Sequence, residues 1–225
     1  MLLQSANSSE TESGFLLQSG NNVSGSVQFS GQTISGQTVC AGVAPALGQS
    51  TGSGITLTVS PAGQSLNLTG TAANNFTSMS GNYSILAAGC GQTEMGTFSA
   101  HQVDQLTGSY LATFTSVDFG TVFHFTGAIM QGPNTGGSTA TLSGTMMSTD
   151  ASCFLSATVA GVISGTSVVL NILSPEGAAL GKYTGTITTD ATQITGLYRF
   201  SNALSPNACN DFGSATFAIQ AGSTM

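Results

Sequence analysis

The sequence predicts an all-β protein made of two tandem copies of one antiparallel, up-and-down β module, each an eight-stranded barrel or a two-sheet sandwich. Three observations carry that expectation. Apolar residues alternate with Ser, Thr and Asn at a period of two, which turns one side of each strand to a core and the other to water. Clusters of Gly, Pro, Asn and Ser break the alternation at short intervals, as turns between strands do. Finally, GITLTVSPAGQSLNLTG at 54–70 returns as TSVVLNILSPEGAALGKYTG at 166–185.

Likeness alone means little in a chain this rich in Ser, Thr and Gly, whereas a spacing kept in both halves is hard to obtain by chance. Cys40 precedes Ile55 by 15 residues and Cys153 precedes Val168 by 15. Gly70 and Gly81 stand 11 apart, as do Gly185 and Gly196; Cys90 lies 8 before Phe98 and Cys209 lies 8 before Phe217. The modules are expected at 1–104 and 105–225.

In the first copy the inward faces are expected at Val23, Gly25, Val27 and Phe29, then at Ile55, Leu57 and Val59, then at Met79, Gly81, Tyr83 and Ile85. Between them lies the turn SPAG at 60–63, where Pro fixes φ and Gly permits a positive one. No clear first strand precedes these; only MLLQSAN and SGFLLQSG are available, so the module is expected to lack its first strand if residues 1–7 do not fill the place. An edge left open there would invite self-association by strand addition.

The second copy shows eight candidate strands, near 108–116, 121–131, 138–148, 153–163, 167–173, 179–188, 193–201 and 214–220. Tyr110, Ala112 and Phe114 share one face of the first, and Ile194, Gly196, Tyr198 and Phe200 one face of the seventh. SPEG at 174–177 repeats the earlier turn. Short loops between consecutive antiparallel strands make a meander, which closure into a barrel relieves of its edges; a sandwich meets the same pattern. Segments 41–47 and 151–163 are the nearest to helical amphipathicity and hold too much Gly, Val and Ser to prefer it.

Cys40, Cys90, Cys153 and Cys209 are far apart, with no CxxC and no neighbouring His to complete a zinc site. Structural disulfides are the leading expectation, Cys40 with Cys90 and Cys153 with Cys209, and they imply an oxidising compartment. Four buried thiols in a cytosolic protein are the alternative. The opening MLLQSANSSE has no basic region and too short an apolar run for a signal peptide, so a signal segment is not expected in this chain.

Charged residues are only 5% of the chain, so hydroxyls and amides must keep it hydrated, while 40% hydrophobic residues supply a core that a disordered chain lacks. Two basic residues, Lys182 and Arg199, against nine acids argue against nucleic acid and anionic membranes as partners. No apolar run reaches the roughly 18 residues of a spanning helix, and a membrane barrel is disfavoured by short strands without aromatic girdles.

The order of Cys, a GxxxTLxxxxG-like strand pair, a (T/S)GxY strand, a second Cys and a final (G/A)TF strand resembles exported, lipoprotein-type Ser/Thr/Gly-rich β proteins of soil bacteria. The resemblance spans most of residues 20–220 and implies a β fold and export, with no activity attached. Such a lipoprotein carries a lipidated Cys near its start, and none stands before Cys40.

Candidate chemistry is sparse. His124 lies between Phe123 and Phe125, so inward aromatics turn its imidazole outward; His101 with Asp104 sits at the junction of the copies. No nucleophile elbow, HExxH helix, phosphate loop or dinucleotide fingerprint occurs, and DFG at 118–120 lacks every other kinase element. Glu10, Glu12, Glu94, Asp104, Asp118, Asp150, Glu176, Asp190 and Asp211 are expected almost entirely in turns, without a calcium-loop pattern. Sequons at Asn7, Asn22, Asn67, Asn75 and Asn82 fall only in the first copy, where the abundance of Asn, Ser and Thr accounts for them.

The expected function is that of an extracytoplasmic structural or interaction protein, at the cell surface or secreted, with no catalytic residues, metal or cofactor. A lipocalin-like carrier of a small apolar ligand is the alternative, and an enzyme with an unrecognised site comes after it.

Overall fold

The computed structural model describes residues 1–5, 8–33, 42–60, 64–73, 76–87, 93–150, 154–201 and 210–221. Two units contain them: Met1–Gln102 with Asn134–Thr139, and Val103–Pro133 with Ala140–Met225. Each unit is a closed, antiparallel, eight-stranded barrel, and no helix of the described residues is long and apolar enough to cross a membrane. Of the two architectures open to the sequence, barrel rather than sandwich is realised.

The first barrel runs β1 (Leu2–Gln4), β2 (Ser8–Ser19), β3 (Asn22–Thr33), β4 (Gly42–Thr51), β5 (Gly54–Val59), β6 (Gln64–Ala72), β7 (Ser78–Ala87) and β8 (Glu94–His101). Each strand pairs with the next, and β1 pairs with both β2 and β8. The N-terminal edge is therefore not open: Leu2, Leu3 and Gln4 fill it, facing Thr11, Glu10 and Ser9 on one side and Ser99, Phe98 and Thr97 on the other. Three residues suffice because Leu3, fully buried, anchors them in the core. SGFLLQS, residues 13–19, belongs to β2.

The second barrel runs β9 (Thr107–Ser116), β10 (Val122–Gln131), β11 (Ala140–Ser148), β12 (Ser156–Ser164), β13 (Ser167–Leu173), β14 (Ala179–Ile187), β15 (Gln193–Phe200) and β16 (Asp211–Ala221). Its closing seam, β9 against β16, is nine residue pairs long, from Ser116 opposite Gly213 to Gly108 opposite Ala221. Of the two segments nearest to helical amphipathicity, residues 42–47 lie in β4 and residues 156–163 in β12.

Alternation builds both interiors. Val23, Val27, Ile55, Leu57, Val59, Tyr83 and Ile85 are buried in the first, with Met79 partly so. In the second, Phe114 is fully buried among rings: Tyr198 at 4.8 Å, Phe125 at 5.1 Å, and Phe123, Phe200 and Phe217 within 5.7 Å between centroids. Edge-to-face and offset pairs at these spacings add to the burial of apolar area. The outer walls are hydroxylated. Thr113, Thr216, Thr195 and Thr186 lie opposite one another across four strands.

Strand direction alternates, so connections sort to two rims. In each barrel one rim carries two-residue turns, at Gly20 and Gly52 in the first and at Gly165 in the second, and these glycines adopt φ near 55–60°, a conformation that L residues avoid. The strand ends flanking Cys40 and those flanking Cys90 open onto the same rim of the first barrel, and those flanking Cys153 and Cys209 share a rim of the second. All four cysteines lie outside the described residues, as do Asn7 and Asn75.

Candidate functional site

A hydrogen-bonded tyrosine and acid stand where each barrel closes. In the second, Asp211 opens β16 with its side chain turned inward and only 5% exposed. Its carboxylate accepts from Tyr198 Oη at 2.7 Å, from Ser116 Oγ at 2.7 Å, and from the Phe212 amide at 2.9 Å. Ser116 Oγ in turn accepts from the Phe119 amide at 3.0 Å, tying the β9–β10 turn to the same group. Ser116, Tyr198 and Asp211 come from β9, β15 and β16, so the cluster spans the seam between first and last strands.

The first barrel repeats the pair. Tyr83 Oη donates to Glu94 Oε1 at 2.7 Å, again from the seventh strand to the opening residue of the eighth. Registers match: Tyr83 faces Gly96 and Tyr198 faces Gly213, each glycine two residues after its acid. Backbone comes first in requiring the glycines, because a Cβ on Gly96 would stand 2.2 Å from the Gln4 carbonyl oxygen and one on Gly213 1.9 Å from that of Thr115; the Tyr83 and Tyr198 rings, at 2.6 and 3.0 Å, close the same spaces. By the same register Ser5 follows β1 as Ser116 ends β9.

These acids correct the expectation that carboxylates sit in turns. Glu94 and Asp211 open strands as hydrogen-bond acceptors, and Glu10 and Glu12 belong to β2, with Glu12 buried. Asp118, Asp150, Glu176 and Asp190 do occupy bends or turns. Asp190 accepts from the Thr188 and Thr192 hydroxyls and the Thr192 amide, and these bonds hold its carboxyl below the usual range.

Burial pushes the hydroxyls of Tyr110 and Tyr183 well up from the ordinary tyrosine range; Tyr198 is pushed up by burial first and by its bond to Asp211 second. Tyr110 Oη donates to the Thr145 carbonyl at 2.7 Å. All four tyrosines are core residues, and no ring platform for sugar is made from them.

His124 points outward between Phe123 and the fully buried Phe125. Its Nδ1 lies 2.8 Å from Asp150 Oδ2, and its amide donates to that same oxygen at 2.8 Å. The bond from His124 lowers the Asp150 carboxyl. Both side chains are about 40% exposed, which makes this a solvated clip between β10 and the bend after β11. His101 ends β8 in the first unit, whereas Asp104 belongs to the second, where its amide donates to the Thr189 carbonyl.

An open recess of about 370 Å³ is lined by His101, by the hydroxyl-bearing Thr71, Ser78, Ser80 and Ser99, and by Ala72, Ala73 and Met79. It offers one imidazole and four hydroxyls. Among the described residues no group of three or more His, Cys, Asp or Glu side chains could hold a metal ion.

Comparison with family models, with curated proteins and with solved structures gives no match.

Proposed function

We propose that the chain is an extracytoplasmic β protein that works by structure and surface contact rather than by catalysis. The observation that carries this reading is the use made of the second barrel's interior: rings pack around Phe114 at contact distance, and the Tyr198, Asp211 and Ser116 groups are spent on the barrel seam. A carrier needs a chamber of a few hundred Å³ lined by apolar side chains. Titration with a fluorescent fatty acid tests this directly. No saturable binding is expected, while stoichiometric, displaceable binding would establish the carrier reading instead.

Export is supported by the low charge, by the resemblance to exported Ser/Thr/Gly-rich β proteins, and by the strand ends flanking the cysteines, which pair on one rim of each barrel. Each pair encloses a loop of some 50 residues, for which a disulfide contributes about 4 kcal/mol in the chain-entropy account. Non-reducing peptide mapping of the natively produced protein should give Cys40 linked to Cys90 and Cys153 linked to Cys209; free thiols would count against export. Self-association through the N-terminal edge has no place in this reading, because β1 occupies that edge.

A further inference from the structure

The chain has two basic side chains in 225 residues, and the fold puts them side by side. Lys182 on β14 lies directly opposite Arg199 on β15, both on the exposed outer wall. Asn171 on β13 continues the row beyond Lys182, and Phe212 on β16, 44% exposed, continues it beyond Arg199. Like charges directly opposite on neighbouring strands destabilise a sheet. No carboxylate among the described residues pairs with either cation.

The first barrel is an internal control. Gly70 faces Gly81 as Gly185 faces Gly196, and three residues from those pairs Asn67 and Ser84 occupy the places of Lys182 and Arg199. The full row there is Thr58, Asn67, Ser84 and Met95, neutral throughout, with Thr58 Oγ1 donating to Asn67 Oδ1 at 3.0 Å. The same barrel topology thus forms around a row without the cations. An exposed apolar side chain ends both rows, so the charge is what the second copy adds.

We propose that the Asn171, Lys182, Arg199 and Phe212 row binds a carboxylated polysaccharide. Two adjacent cations match carboxylates borne in succession along a chain, and Arg can grip one bidentately. The Asn171 amide and the wall hydroxyls Thr184 and Ser214 suit sugar hydroxyls, while Phe212 presents a face to the apolar side of a sugar ring. A peptide strand has no place here, since β14 and β15 each pair on both sides and leave no free edge. The net charge of −7 opposes polyanions at long range, but at physiological salt the Debye length is about 8 Å, so contacts at the row outlast repulsion from distant acids.

This inference rests on the reading of the chain as a contact protein, yet the two fail separately: fatty-acid binding would overturn that reading, and the experiment below leaves it untouched. The full chain is passed over immobilised polygalacturonate and over neutral dextran at physiological salt. Retention on the first alone is expected, released by added salt. The Lys182→Asn, Arg199→Ser chain, which gives the second barrel the first barrel's row, should fold normally and bind about tenfold more weakly. Asn67→Lys with Ser84→Arg should strengthen retention. Equal retention of wild type and the neutral variant, no retention of wild type, or capture by phosphatidylglycerol vesicles in place of polygalacturonate would each overturn the proposal.

Discussion

At the scale of single residues, the Tyr and carboxylate pairs are the polar centre of each barrel, and they differ in depth. Asp211 is buried and accepts three bonds, whereas Glu94 is half-buried. Removing a donor from a buried carboxylate costs more than removing it from a partly hydrated one. Tyr198→Phe should therefore destabilise the second barrel by about 2–3 kcal/mol, and Tyr83→Phe the first by about 1 kcal/mol, as read from urea denaturation. Equal costs would contradict the assignment.

The same tyrosines predict an alkaline limit. An ordinary tyrosine ionises near pH 10, and Tyr110, Tyr183 and Tyr198 are raised above that in the fold. Their contribution is complete below about pH 10. Above it the unfolded chain has lost protons that the folded chain retains, so stability falls as pH rises. Tyrosinate absorbance and the urea midpoint followed through this range should change together; full ionisation near pH 10 in an intact fold would exclude the account.

These pairs were not legible in the sequence, although a trace of them was. EMG at 94–96 and DFG at 211–213 both read acid, apolar, Gly. The distance from tyrosine to acid is 11 residues in one copy and 13 in the other, because the intervening connections differ in length. Only strand register brings the equivalence out. The adjacency of Lys182 and Arg199, 17 positions apart, was hidden for the same reason.

At the scale of elements, alternation located the strands because burial on one face obliges it: Ile55, Leu57, Val59 and Tyr110, Ala112, Phe114 lie inward as their period requires. The first strand escaped because three residues are too few to show a period. Its brevity has a mechanical consequence. The first barrel closes through three residue pairs on each side of β1, and the second through nine along β9 and β16. Amide hydrogen exchange should open the β1 seam well before the β9–β16 seam, since local stability follows the pairing and burial that hold an element. Uniform protection of both seams would show that β1 is held by more than its ladder.

At the scale of the whole molecule, a wall of Ser, Thr and Asn replaces the usual mosaic of charges. Thr suits an exposed strand face, and its hydroxyl keeps the wall hydrated without ions. The His124 and Asp150 clip is an exposed ion pair. Screening therefore has little to act on, and the melting temperature should move by less than about 2 °C between low salt and 1 M NaCl. A larger shift would show that charge interactions contribute more to the fold than these few groups account for. The duplication itself was legible, because spacing between Cys, Gly and Phe landmarks survived while the residues between them changed.

The central claim is that each half of the chain closes on itself into a filled barrel. Nuclear Overhauser contacts across the seams of the isotopically labelled protein test it most directly. The account predicts backbone contacts of Leu3 with Phe98 and of Phe114 with Ala215. Seams that show none of these contacts, or first strands paired with last strands of the other half, would contradict it.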